Sequence, residues 1–221
     1  YVIREDGLVS ISEYLNIMRK NKINFENIDI KDSAFKYKSN GINFKAIRVE
    51  ERYIDIVKLN QSLFREIDEM GINVCLNKNV QNIDTHLGEI IFNDGFKEKF
   101  DLIINCSYTN PFIGFSKNKV PLKYEYCTLL LISSDLIKNQ AVTIMDGQFL
   151  SIYPWLSNLH SVSSVKFTPS FQTENLIDLQ NKLKNRKISD NEKTNLLIEN
   201  HMRSFFDLEY TLVGSFSTIK V

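Results

Sequence analysis

The stretch that most constrains this 221-residue chain is Asp101-Leu-Ile-Ile-Asn-Cys106. A short, continuous apolar run reads as a strand buried on both faces, and such strands belong to sheets covered by helices. A fitting helix stands upstream. Asp55 occupies an N-cap position, Leu59, Leu63, Ile67 and Met70 share one helical face, and Gly71 sits where a left-handed C-terminal cap belongs. Between helix and run, the pattern predicts a short strand over Ile72–Leu76 and a hairpin of Asn79–Asp84 with Glu89–Asn93.

The flanks are richer in strand patterns. Ser10 with Glu13 three residues on forms a capping-box pattern ahead of a helix over 10–21. Residues 35–49 read as a hairpin around Ser39-Asn40-Gly41, because Asn-Gly favours a two-residue turn. Strands are expected over Tyr124–Ser133, Ala141–Met145, Phe149–Trp155 and Ser161–Phe167, with Pro169 closing the last. Residues 173–205 are polar and helical, and Asp207–Val221 returns to strand. An α/β middle between β-rich flanks, α+β overall, predicts two sheets and a discontinuous domain. The expected parts are 1–49 (helix and hairpin), 50–116 (the α/β middle), and 117–221 (a sheet with a helical insertion over 173–205).

Charge and composition exclude several classes. Lys plus Arg and Asp plus Glu are 27 each, so the net charge is zero. That disfavours a strongly basic nucleic-acid binder. No apolar run reaches the ~18 residues of a membrane span. Three cysteines, at 75, 106 and 127, are too few and too scattered for a disulfide framework. They read as reduced thiols of a cytoplasmic protein, with Cys75 and Cys106 buried in strands. The histidines at 86, 160 and 201 share no ligand spacing with them, so no metal site is expected. Gly-x-Gly-x-x-Gly, phosphate-loop and Gly-x-Ser-x-Gly motifs do not occur. The chain opens on Tyr1-Val-Ile-Arg4 as though in mid-element, which reads as the middle of a longer protein.

The succession of capped helix, Gly71-Ile-Asn-Val74, a strand with Val80, Asp94-Gly95, and Phe100 to Ser107 resembles a known family. It is similar to the central part of FAD-dependent oxidoreductases of the D-amino-acid-oxidase and glycine-oxidase type. Glu50 to Asp55 looks like that family's approach to the helix, and Thr143 to Pro154 like one of its substrate-domain strands. The likeness covers roughly residues 48–168. It implies part of a Rossmann-like FAD domain interleaved with a mixed, largely antiparallel substrate-domain sheet, and FAD as cofactor.

The resemblance also assigns roles. Val80 would offer its backbone to the adenine edge. Cys106, Ser107 and Tyr108 would end the central strand against the nucleotide, at the carboxyl edge where open α/β sheets bind ligands. Tyr108 departs from the family, which has glycine there. Substrate-facing candidates are Arg48 (or Arg52), whose guanidinium suits a carboxylate, with Tyr153, Trp155 and His160 around an apolar pocket. No catalytic residue is assigned, because the flavin itself accepts the hydride. The function so implied is oxidation of a C–N or C–O bond in a small amino-acid-like or sugar-derived substrate. Two alternatives stand beside it: a non-catalytic ligand-binding or assembly module derived from that fold, which keeps the substrate-domain sheet without the cofactor site, and a nucleotide-sugar or NAD-dependent enzyme with the same α/β middle.

Overall fold

The computed structural model describes the chain apart from residues 31, 32, 109, 111, 112, 115–119, 157 and 186. Strands β1 (Val2–Arg4), β2 (Phe25–Asn27) and β3 (Phe44–Val49) come first. A three-stranded antiparallel meander follows: β4 (Val80–Asp84), β5 (Glu89–Phe92) and β6 (Lys97–Lys99). Then come β7 (Tyr124–Ser133), β8 (Val142–Met145), β9 (Leu150–Pro154), β10 (Leu159–Ser164), β11 (Pro169–Thr173) and β12 (Thr211–Lys220). Four α-helices are present among the described residues: α1 (Ile11–Lys20), α2 (Ile56–Glu69), α3 (Leu176–Lys184) and α4 (Ile188–Phe205). The chain is thus mixed α and β. None of its described helices is long and apolar enough to cross a membrane.

The first three and last six strands form one nine-stranded sheet. Its order runs β7, β10, β9, β8, β1, β3, β2. β12 takes one whole edge of β7, so β10 and β11 share the other edge end to end. Neighbours are antiparallel except β1 and β8, which run parallel with Val2 beside Ile144. Successive residues of a strand face opposite sides. Val2 therefore joins the larger core, with Ile152, Ile198, Met202 and Phe205, under α4. Ile3 joins Ile47 and Met18 on the opposite side, under α1. The Ser10 hydroxyl caps α1 by accepting from the Glu13 N–H at 3.3 Å.

A buried cation ties this sheet together. Arg4 is 5% exposed and donates twice to Asp6 at 2.7 Å, and once to the Tyr37 hydroxyl at 2.8 Å. Its guanidinium lies 5.1 and 5.2 Å from the ring centres of Phe149 and Phe205. The sequence pattern gave no sign of this cluster.

The middle departs from expectation. α2 forms as its caps require: Asp55 accepts from Val57 and Lys58 N–H, and Gly71, at φ +67°, donates to Asp68 while Ile72 donates to Ile67. Yet α2 buries none of its residues. The segments 72–76 and 101–106 are not strands. Leu102 and Ile104 are 75 and 76% exposed, and Cys75 and Cys106 are exposed while Cys127 is buried. An apolar run becomes a buried strand only where other strands pair with it, and none does so among the described residues. The expected 35–49 hairpin also fails. Its turn exists, with Asn40 and Gly41 at φ +53 and +80° and Ile42 N–H donating to Ser39. However, Tyr37 bridges to Phe206, and β3 pairs with β1 and β2 instead. Pro169 opens β11 rather than closing a strand.

Candidate functional site

Two recesses gather residues that the sequence singled out. The first is a cleft of about 500 Å3 whose lining includes Val80, Ile83, Ile103, Cys106 and Ser107. β4 supplies Val80 and Ile83. It is an edge strand of the meander, so one row of its backbone groups faces away from β5. The opposite wall is the extended segment ending in a local turn. There the Ser107 N–H donates to Asn105 Oδ1 at 2.9 Å, and the Ser107 hydroxyl donates to the Asn110 carbonyl at 2.7 Å. Beside the cleft, Gly114 packs closely on β4: a Cβ there would stand 2.7 Å from the Ile83 backbone oxygen. Leu176 and Gln180 of α3 reach in from the large sheet's side.

Val80, Cys106 and Ser107 are thus brought together although they lie far apart in sequence. Tyr108 is not among the described residues lining the cleft. It sits at φ +49°, the left-handed region that glycine enters freely, and its hydroxyl accepts from the Val221 N–H at 3.1 Å. The left-handed turn expected of glycine is therefore formed, with the tyrosine ring turned elsewhere.

Charge enters the cleft through Lys78. Its ammonium lies 3.5 Å from Asp94 and 5.3 and 5.0 Å from the ring centres of Phe92 and Phe96. The Phe96 backbone N–H, donated to Asp94 Oδ1 at 2.9 Å, holds the Asp94 carboxyl below its usual range, with Lys78 adding to the effect. An apolar floor, amides of Asn79 and Asn110, an open strand edge and one cation suit the adenosine end of a dinucleotide. The pyrophosphate would need a row of backbone donors, which the chain's sequence does not offer as a glycine-rich loop. Lys78, Asn79 and Asn110 were missed in the sequence because none stands in a motif.

The second recess, of about 640 Å3, lies in the large sheet and is lined by Arg48 and Tyr153 among others. Thr143 donates to the Tyr153 hydroxyl at 3.0 Å. Arg48 is largely exposed and faces Glu26 at 3.8 Å, and Arg52 pairs with Glu50 at 3.0 Å. Trp155 and His160 do not join them. The Trp155 ring packs 4.6 Å from Phe216 of β12. His160 is 1% exposed, with Nε2 3.0 Å from the Ile137 carbonyl. Burial holds its pKa below the ordinary value despite the backbone groups around it. The four substrate-facing candidates therefore fall in three places: His160 pairs with Pro154 and so faces away from Tyr153, and Trp155 lies past the end of β9.

Among the described residues, no group of three or more His, Cys, Asp or Glu side chains is arranged to hold a metal ion. Neither a protein-family model nor a curated protein matches this chain.

Proposed function

We propose that this chain is part of a FAD-dependent oxidoreductase acting on a C–N or C–O bond of a small amino-acid-like or sugar-derived substrate. The observation that carries the proposal is the convergence of Val80, Cys106 and Ser107 on one cleft beside a three-stranded meander. The helix, meander and 101–107 segment represent one part of a Rossmann-like FAD domain, and the nine-stranded sheet represents the substrate domain. FAD supplies the hydride acceptor. In this chain the β4 edge would hold the adenine, small Ser107 would permit close approach, and Lys78 would face the phosphates. The exposed free thiols of Cys75 and Cys106 agree with a reducing, cytoplasmic setting.

A second reading, a non-catalytic ligand-binding module of the same descent, is favoured by the dispersal of the substrate-facing candidates. One experiment separates the two. Protein purified from its own source should carry bound flavin, visible as the absorbance of the oxidised isoalloxazine. A colourless protein that takes up no FAD on incubation contradicts the oxidoreductase reading and leaves the module.

A further inference from the structure

α3 presents two sides. It packs on β7 and β11, and its Leu179 is fully enclosed. Leu176 and Gln180, four residues apart and so on one side of the helix, reach instead into the cleft beside the meander. Every other described residue of that lining falls within 78–113. The helix that carries these two side chains is well fixed. Asn175 caps it by accepting from the Ile177 N–H at 2.9 Å, and the Lys182 ammonium lies 5.8 Å from the ring centre of Phe171 in β11.

Other polar groups of the cleft are already spent. Asn105 accepts from the Ser107 N–H and donates to the Asn110 carbonyl at 3.3 Å, and the Ser107 hydroxyl donates to that same carbonyl. The Gln180 amide makes no such bond to a described residue, and it stays accessible from the cleft. It therefore offers a planar pair, one carbonyl acceptor beside one NH2 donor. Asn79 and Asn110 carry the same group, but both stand outside helices and strands. An amide on an anchored helix is held more closely than one on a loop, so less ordering is needed when it binds. Val80, Ile83, Ile103 and Leu176 give the cleft apolar walls that suit a flat ring.

We infer that Gln180 is the residue that selects the base in this cleft, and that the base it selects is adenine; the inference rests on the proposal that the cleft holds a nucleotide. A glutamine amide matches adenine at two atoms, with Oε1 accepting from the N6 amino group and Nε2 donating to N7. Guanine presents acceptors at both O6 and N7, so the Gln180 carbonyl would meet an oxygen and lose its bond. Discrimination then comes from a mismatched polar pair as well as from a matched one. The second proton of N6 is left for a carbonyl on the open edge of β4. The base so held touches the meander on one side and α3 on the other, and ties the large sheet's layer to the nucleotide.

The test titrates the full chain with AMP and with GMP and follows the backbone amide NMR signals of β4 and α3. Wild type is compared with Gln180→Ala and Gln180→Glu, and the exposed position lets both variants keep the wild-type melting curve. Wild type should bind AMP about tenfold more tightly than GMP, with shifts in both elements. Gln180→Ala should erase that preference. Gln180→Glu keeps the acceptor for N6 but loses the donor for N7, so it should also weaken AMP. An unchanged preference for AMP in Gln180→Ala, with the β4 shifts retained, overturns the inference and leaves the cleft as a nucleotide site. No AMP binding to the wild type, or binding undiminished in Ser107→Phe, overturns the nucleotide proposal and the inference with it.

Discussion

On the large sheet Ile47, Leu130, Ile132 and Ile152 are fully enclosed. On the apolar stripe of α2, Leu59, Leu63 and Met70 stand 38, 47 and 74% exposed. Both regions have well-patterned apolar residues. They differ in what meets the pattern. α1 and α4 have opposite faces of one sheet to cover, so their stripes are buried against β-strand side chains. α2 has its two caps and little else. A 14-residue helix without packing is marginal in water, so the Asp55 and Gly71 caps become its main local support. An amphipathic stripe therefore specifies a helix and the need for a partner, but it does not supply the partner.

The contrast predicts a wide spread of mutational effects. Ile152→Ala should destabilise the protein by about 2–5 kcal/mol, since it empties a fully enclosed site. Leu63→Ala, the matching truncation on α2, should change global stability by no more than about 0.5 kcal/mol. Urea unfolding of both variants checks this. Comparable losses would mean that α2 is packed as firmly as the sheet.

Arg4→Met should cost about 2 kcal/mol, because Asp6 and Tyr37 lose their charged donor while the space between Phe149 and Phe205 stays filled. Denaturant midpoints measure it, and a neutral result would make the cation dispensable to the sheet.

A smaller effect follows from two histidines of the sheet region. Burial lowers the pKa of His160 and of His201, the latter with help from Lys166. The unfolded chain therefore binds protons first as the pH falls. Stability is fully present above the unfolded value of about 6.5 and declines through the window between that value and the lower folded ones. Melting temperature should fall between about pH 7.5 and about pH 5.5, and His201→Gln should flatten the slope. A wild-type protein equally stable at both pH values would contradict this.

Asp55→Ala should remove about 1 kcal/mol from α2 alone. Faster hydrogen exchange in α2 with an unchanged sheet melting transition is the expected signature. A drop in the global melting temperature would show that α2 and the sheet unfold together.

These differences also explain what was legible in the sequence. Ser10, Asp55 and Gly71 act within one turn of the chain, so their caps could be read directly. The 124–133 strand was legible because its apolar pattern is long, although its partners β10, β11 and β12 all lie far along the chain. The 101–106 run misled because a continuous apolar pattern describes an environment that only other strands can create. The 39–41 turn formed as its residues require, but Tyr37 went to Arg4 and Phe206, partners more than thirty residues away in either direction. The candidate cleft was half legible. Val80, Cys106 and Ser107 came from the resemblance, whereas Lys78, Asn110 and Gln180 meet there only through tertiary packing.

If the Val80–Ser107 cleft holds the nucleotide end of FAD, as proposed, flavin content per folded protein reports it. Measured on the purified protein, Ser107→Phe should lose most of its flavin by steric overlap while the protein still folds. Val80→Ala should keep nearly all of its flavin, because only the backbone of β4 is assigned to the adenine. Full flavin in Ser107→Phe together with loss in Val80→Ala would contradict the account and give the cleft to another ligand.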